Sequence, residues 1–271
     1  MQIFQSVILG IIQGVTEFLP ISSSAHLFIA PWLLNWKENP LVFDIILHAG
    51  TLSAIIVYFR REWTGLFRSF FLGGGEGKPG RAQGNRRILT GLVIASLPIL
   101  AVGFFFGERV EEIFRSPQHI ASALGIFGVA LFFADYLGKK AHSLDEVTTK
   151  AAFIIGLAQV LALMPGASRS GVTISAALLL GFKKEDAVRF SFMMGGPVIL
   201  AATVYGVIKM GGLLYSIGIG TVLLGFASSF LSSILAIHIL ITYIRRRGFA
   251  VFALYRVALS AVILTLVFFR Y

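Results

Sequence analysis

The fold is decided by the first 34 residues, MQIFQSVILGIIQGVTEFLPISSSAHLFIAPWLL, which are apolar almost throughout but are interrupted near the middle. The interruption consists of Pro20 and the serine cluster 22–24. Proline lacks an N–H donor and disfavours helix in the residue before it, so the segment divides into two short helices. Each half is shorter than the roughly 20 residues that a spanning helix needs. The pattern therefore predicts a re-entrant hairpin that enters and leaves a membrane on one side.

A second segment, residues 151–182, has the same organisation around Pro165. The letters LPISSS at 19–24 correspond to MPGASR at 164–169 with an offset of 145 residues. Downstream, His48-Ala49-Gly50 corresponds in the same way to Met194-Gly195-Gly196. The chain is therefore expected to contain an internal repeat, with repeat one at about 1–140 and repeat two at about 148–271.

Further apolar segments long enough to span a bilayer complete each half. They lie at about 41–59, 88–106, 119–137, 187–208, 213–242 and 252–269. Each half is then one broken re-entrant helical hairpin plus three transmembrane helices. Because three is odd, the second half is inverted relative to the first, and the two breaks are expected to meet in one site. The predicted fold is an all-α polytopic membrane protein with a single membrane domain, residues 1–271.

Composition excludes a soluble domain. The chain is 56% hydrophobic and 13% charged, with a mean hydropathy of +0.85, whereas soluble domains carry roughly a quarter charged residues. The absence of cysteine excludes disulfides, thiolate metal sites and cysteine nucleophiles. The first residues lack a basic region, and Glu17 lies where the apolar core of a signal peptide should end, so this segment is expected to belong to the mature protein.

The net charge of +10 has a topological explanation that does not involve nucleic acid. Sixteen basic residues lie in four clusters that the predicted topology places on one side, at 60–87, 138–150, 183–189 and 245–247. The opposite side receives five, which are Lys37, Arg109, Arg115, Lys209 and Arg270. By the positive-inside rule the rich side is cytoplasmic and both termini lie outside. The stretch GGGEGKPG at 73–80 predicts that 60–87 is a flexible loop.

The first polar motif runs from Gln13 to His26. Gln13 and Glu17 are four residues apart and share a helix face, and a carboxylate inside an apolar run binds a cation, transfers protons or extends to an interface. Ser22, Ser23 and Ser24 lie where the second half-helix starts, and a helix start presents free N–H groups to phosphate. Ser23 and His26 are within reach of each other. They form either a nucleophile with its base, or a phosphate-binding pair, or a plain serine cap beside a packed histidine.

The second polar motif runs from Pro165 to Gly171. Glycines such as Gly166 let the backbone turn so that N–H groups, with the hydroxyls of Ser168 and Ser170, converge on an anion. Arg169 is the only basic residue in 151–182 and is expected to have no basic neighbour. Its planar fork fits two phosphate oxygens, and the alternative is an internal salt bridge to Glu17. Support from behind the site is expected from Asp44, His48 and Ser191, unless these are ordinary polar packing between helices.

At these residues the chain resembles the undecaprenyl pyrophosphate phosphatase family, also called bacitracin-resistance proteins. The resemblance covers the full length and rests on QGVTEFLPISSSAH at 13–26, FDIILHAGTLSA at 43–54 and LALMPGASRSGVTIS at 161–175. It implies hydrolysis of the C55 polyprenyl pyrophosphate to the monophosphate and inorganic phosphate, which recycles the carrier lipid for peptidoglycan synthesis. It also implies a bacterial cytoplasmic membrane location, with the active site opening to the outer side.

The resemblance carries residue roles with it. It implies catalytic roles for Glu17, Ser23, His26 and Arg169, and a divalent cation, Mg²⁺ or Ca²⁺, at Glu17 and Gln13. Substrate binding is implied for Ser168 and Arg169, and the helix starts described above predict it for Gly166, Ser170, Ser22 and Ser24. Relatives often have Glu where this chain has Gln13, and commonly have Gln where it has His48. The nucleophile stays open between Ser23 and water, and the base between His26 and His48.

Other functions and partners follow from the same features. Inverted repeats with broken helices are also transporter architecture, so a secondary transporter or flippase for a phosphorylated lipid is the alternative. A membrane phosphatase of the acid-phosphatase kind ranks third, because the chain lacks a Pro-Ser-Gly-His segment. The expected partners are the polyprenyl pyrophosphate lipid and the membrane, with no nucleic acid. A homodimer is left open.

Overall fold

The computed structural model describes residues 3–36, 41–71, 79–210, 212 and 217–270, and the long elements in this part of the chain are helices. Single 3₁₀ turns lie at Leu144–Glu146 and Leu161–Leu163. Part of the predicted span 213–242, most of the stretch 73–80, and the basic residues Lys37 and Lys78 lie outside the described residues. The helices are α1 Ile3–Phe18, α2 Ser23–Leu34, α3 Leu41–Tyr58, α4 Arg60–Phe71, α5 Pro79–Phe114, α6 Pro117–Leu137, α7 Thr149–Val160, α8 Arg169–Leu179, α9 Lys184–Met210, α10 Ile219–Ile244 and α11 Ala250–Arg270.

The long apolar helices correspond to the predicted spans. Helices α5, α6, α9, α10 and α11 are each long and apolar enough to cross a membrane. Helices α3 and α4 pass the same test only together, as a pair bent by 71°. This architecture confirms an all-α polytopic membrane protein.

The two broken hairpins are α1–α2 and α7–α8, and their second helices begin alike. The residues that precede α2 and α8, Ser22 and Ser168, have φ values of 77° and 69°. Residues other than glycine rarely adopt this region, and where they do the strain is often found at functional sites. The equivalent residues therefore differ by 146 positions, and the predicted offset of 145 was wrong at the helix starts. The second break holds one residue more, because Gly166 and Ala167 replace Ile21 between the proline and the capping serine.

The pattern of helix contacts repeats between the two halves of the chain. Helix α1 of the first half packs along α10, and the equivalent helix α7 of the second half packs along α5. The equivalent helices α3 and α9 contact each other, as do α6 and α11. Both long contacts need a glycine. A Cβ atom on Gly10 would lie 2.6 Å from the Gly225 carbonyl of α10, and one on Gly156 would lie 2.5 Å from the Ala95 carbonyl of α5. These relations agree with the predicted inverted repeat.

The prediction of a flexible loop at 60–87 was wrong where the structure describes it. Residues 60–71 form α4, and α5 already begins at Pro79. The two helices are joined by hydrogen bonds from Asn85 Nδ2 to Ser69 Oγ, 3.0 Å, and from Arg86 Nε to the Ser69 carbonyl, 2.8 Å. Helix α4 alternates basic residues with aromatic and aliphatic ones at helical spacing, so it is an amphipathic helix and not a loop.

Candidate active site

The two breaks lie directly against each other. The Gly166 N–H of the second break donates to Ser24 Oγ of the first, 3.3 Å. Ser170 Oγ, at the start of α8, donates to the backbone carbonyl of Glu17 at the end of α1, 3.2 Å. Residues 142 and 153 positions apart in sequence are thereby brought into one site.

Glu17 is at the centre of this site and is only 7% exposed. Its Oε2 accepts hydrogen bonds from Ser23 Oγ, 2.7 Å, and from Gln13 Nε2, 3.2 Å. Its Oε1 lies 3.1 Å from Arg169 Nη2, so the ion pair considered as an alternative for these residues is formed. A carboxylate oxygen that accepts a hydrogen bond from a serine hydroxyl is placed to accept the proton of that hydroxyl.

Arg169 is held on its other side by α9. Its Nη1 donates to the Ser191 carbonyl, 2.9 Å, and its buried Nε has no partner among the described residues. The Ser191 and Thr173 hydroxyls are hydrogen-bonded to each other, 2.7 Å apart. Thr173 Oγ1 also donates to the Arg169 carbonyl, 2.8 Å. A Cβ atom on Gly195 would lie 2.5 Å from Arg169 Nη1, so this glycine lets the guanidinium lie flat against α9. Ser191 thus supports Arg169, and Gly195, predicted from the sequence only as part of the repeat, leaves room for the guanidinium.

Both helix starts have unpaired backbone N–H groups. In the described structure, none of the backbone N–H groups of residues 22–24 and 168–170 donates a hydrogen bond within the chain. The hydroxyls repeat too, since Ser22 Oγ lies 3.2 Å from Ser24 Oγ and Ser168 Oγ lies 3.3 Å from Ser170 Oγ. Two helix N-termini with free donors form a site suited to an anion with several oxygens.

His26 does not contact Ser23 as the sequence analysis expected. Its Nδ1 lies 2.7 Å from the Ser22 carbonyl, which can only accept, so Nδ1 carries a hydrogen. Its Nε2 lies 2.7 Å from the hydroxyl of Tyr255 on α11, and the two rings are stacked. Both His26 ring nitrogens are therefore engaged elsewhere, and the Ser23 hydroxyl donates to Glu17 instead. The residue in contact with Ser23 that can act as a base is Glu17.

His48 lies at the edge of the site, and Asp44 lies behind it. His48 Nε2 is 4.0 Å from Glu17 Oε2, and its Nδ1 is 2.7 Å from the backbone carbonyl of Asp44. Asp44 Oδ1 is buried without a partner in the described part of the chain.

A metal site would have to be built from few protein ligands. Among the described residues, no group of three or more acidic or histidine side chains is placed to hold an ion. Gln13 Oε1, however, is buried with no hydrogen-bond partner beside Glu17. An unpaired carbonyl oxygen, one carboxylate and the Ser23 hydroxyl are ligands that a hard cation accepts, with phosphate oxygens completing its shell. The residues fit a cation shared with the substrate.

Arg256 contacts both breaks but was not predicted from the sequence. This side chain of α11 is fully buried, and it donates to the carbonyls of Pro20, 3.1 Å, Gly166, 3.1 Å, and Ala167, 2.8 Å. The expectation that Arg169 has no basic neighbour was therefore wrong. The signal was available, because a single arginine interrupts the apolar segment 252–268 and charges at membrane depth are functional by default.

A second buried glutamine was also missed. Gln159 on α7 lies 146 positions after Gln13, is fully buried, and likewise has an unpaired Oε1. Its Nε2 donates to the Ala95 carbonyl, 3.2 Å. Leu163 stands where the first repeat has Glu17, so the carboxylate belongs to one repeat and the arginine to the other.

A polytopic membrane protein in which two helix breaks meet around a buried ion pair is the class that these features define. The chain belongs to the family described as bacitracin resistance protein BacA, whose profile matches residues 6–262. It is 41% identical over 271 residues to the undecaprenyl-diphosphatase of Caldicellulosiruptor bescii, covering 100% of this chain and 99% of that one. It is 39% identical to the enzyme of that name from Moorella thermoacetica and 41% identical to that from Geotalea daltonii, with full coverage of both chains in each case. The family resemblance drawn from the motifs is confirmed.

Proposed function

We propose that this protein hydrolyses undecaprenyl pyrophosphate to undecaprenyl phosphate and inorganic phosphate. The names of its full-length relatives support this activity, and none of them supports the transporter alternative. The observation that carries the proposal is that Glu17 contacts both Arg169 and the Ser23 hydroxyl between two helix starts whose backbone N–H groups are unpaired. This arrangement places anion-binding groups beside a hydroxyl that contacts its own base.

The proposed binding mode assigns the diphosphate to the region between the breaks. Arg169 and the N–H groups of residues 168–170 bind the terminal phosphate from the second break, and those of residues 22–24 bind from the first. Phosphoryl transfer needs mainly positioning and stabilisation of charge on the phosphate oxygens, and fixed donors in a site away from bulk water supply both. The apolar tail remains among the membrane-facing helices.

Ser23 is the proposed nucleophile and Glu17 its base. The Ser23 hydroxyl, 2.7 Å from Glu17 Oε2, gives its proton to that carboxylate while Oγ forms a bond to the terminal phosphorus. The bond from that phosphorus to the bridging oxygen breaks, and the lipid monophosphate leaves with the electron pair. Water then cleaves the phosphoserine and releases inorganic phosphate. His26 orients the first break through the Ser22 carbonyl, and His48 borders Glu17.

The proposed cation lies at Gln13 and Glu17. When bound there, a divalent ion would neutralise negative charge on the diphosphate oxygens. Gln13 supplies its unpaired Oε1, and Glu17 supplies the negative charge that the amide lacks.

The proposed location is the bacterial cytoplasmic membrane, with the site open to the outer side. The support comes from the loop charges, since 183–189 and 245–247 carry six basic residues on the side predicted to be cytoplasmic. A homodimer and the absence of nucleic acid stay predictions of the sequence.

The test is phosphate release from undecaprenyl pyrophosphate by the purified protein in detergent, with and without a chelator. The proposal expects one inorganic phosphate per lipid, loss of activity in the chelator, and recovery on adding Mg²⁺ or Ca²⁺. A folded protein that releases no phosphate under any of these conditions would refute it.

A further inference from the structure

Helix α11 contributes a guanidinium that contacts both breaks. Arg256 donates to Pro20 in the first break, to Gly166 and Ala167 in the second, and through Nε to the Leu124 carbonyl of α6, 3.3 Å. Every one of these acceptors is a backbone oxygen, and no carboxylate pairs with this arginine among the described residues. A fully buried arginine bound in this way fixes backbone orientation, because its planar fork sets the directions of several carbonyls at once.

The orientation of one peptide unit follows directly. In a trans peptide the carbonyl and the next N–H point in opposite directions. Since the Ala167 carbonyl points to Arg256, 2.8 Å, the Ser168 N–H points away from it, and this N–H is one of the unpaired donors of the second break. The other two peptide units of the breaks whose carbonyls bind Arg256 have no free N–H group. The Ala167 N–H donates to the Met164 carbonyl, and the Ile21 N–H donates to the Leu19 carbonyl. The guanidinium thus controls the direction of a donor available to a ligand.

We propose that Arg256 is a positioning residue for phosphoryl transfer, which aims the Ser168 N–H at the phosphate and holds the two breaks in register. The inference rests on the function proposed above and extends it to a residue that does not touch the substrate. A positioning role of this kind acts mainly on the transition state, because donors misplaced by a fraction of an ångström still bind the ground-state anion but stabilise developing charge less.

Arg256→Lys is the first variant for the test. Lysine keeps the charge but presents its donors from one atom, so it cannot serve carbonyls of both breaks in the arginine geometry. We expect kcat to fall by about tenfold to a hundredfold while KM changes less than about threefold. Ser260→Ala is the matched control. It removes one buried hydrogen bond of α11, from Ser260 Oγ to the Ala121 carbonyl, without touching either break, and kcat should stay near wild type.

Gly171→Ala tests the same idea without altering α11. A Cβ atom there would lie 2.6 Å from Arg256 Nη1, so the guanidinium must shift, while alanine itself favours the helix. The same fall in kcat is expected. Combining the two changes should cost little more than either alone, because both act through the same group.

Thermal midpoints separate positioning from a purely structural role. If Arg256→Lys lowers the midpoint but each folded molecule turns over at the wild-type rate, the proposal is overturned. If Arg256→Lys does not fold, Gly171→Ala decides alone, and a normal kcat there overturns the proposal. If Arg256→Lys and Gly171→Ala have normal rates while Arg169→Ala is inactive, only the positioning role of Arg256 is rejected. Normal rates in Arg256→Lys, Gly171→Ala and Arg169→Ala would reject the proposed binding mode at the two breaks as well, whereas a folded wild-type protein that releases no phosphate would reject the proposed function itself.

Discussion

Alanine at position 169 removes the guanidinium that connects the two breaks. The wild-type side chain donates to Glu17 Oε1, 3.1 Å, and to the Ser191 carbonyl, 2.9 Å. Its loss has two consequences that can be measured separately. The phosphate loses a fixed cationic donor, and the Glu17 carboxylate loses the ion that compensates its charge.

The expected magnitudes follow from these contacts. Loss of one preorganised donor to the transferring group should lower kcat by about a hundred- to a thousandfold. Breaking a buried ion pair by removing one partner typically costs about 3–5 kcal/mol of stability, and the remaining contacts of Glu17 with Ser23 and Gln13 place this variant at the lower end. Arg169→Lys should regain stability but only part of the rate, because a point charge cannot bind two phosphate oxygens as the planar fork does.

The assay is phosphate release together with thermal unfolding for Arg169→Ala, Glu17→Gln and the double variant. If Arg169 binds phosphate, the double variant regains stability and stays inactive. If the ion pair were the only role of both Arg169 and Glu17, removing both charges would restore stability and turnover together. Near-normal turnover of the double variant would therefore refute the role given to Arg169.

Three further predictions address the surroundings of the site. Gly195→Ala should displace the Arg169 guanidinium, which lies 2.5 Å from the new Cβ position, and lower kcat by at least about tenfold. In the control Gly196→Ala the new Cβ faces Trp63, and kcat should change little, so equal rates for the two variants would contradict this prediction. Gln13→Glu adds a second carboxylate and should lower the Mg²⁺ concentration needed for half-maximal activity, so an unchanged or higher requirement would argue against a cation at this position. Cysteines introduced in the cysteine-free chain at 64 and 118 test topology in intact cells. An impermeant reagent should label position 118 and not 64, and the reverse pattern would exclude the proposed orientation.

The spans and breaks could be predicted from sequence because the bilayer imposes simple rules. Apolar length defines a span, and Pro20 and Pro165 mark the helix breaks. The residues that converge, Glu17 and Arg169, were identifiable because a charge inside an apolar run needs a partner.

Several contacts of the site could not be predicted, because the spacing of residues along the chain does not fix the directions of their side chains. Ser23 lies three residues before His26, yet its hydroxyl turns to Glu17 on the preceding helix. The one-residue difference between the breaks became visible only through the capping conformations of Ser22 and Ser168. Arg256 donates to backbone carbonyls, and because every residue has a backbone carbonyl, the sequence does not indicate which ones accept.

The central claim is that both breaks act on the same phosphate. The most direct test is the rate of phosphate release for Ser23→Ala, from the first break, for Arg169→Ala, from the second, and for the two together. Residues that act as a unit are strongly non-additive, so the double variant should be no more than about tenfold slower than the slower single variant. If the two separate losses multiply in the double variant, the breaks act independently and the single-site account is wrong.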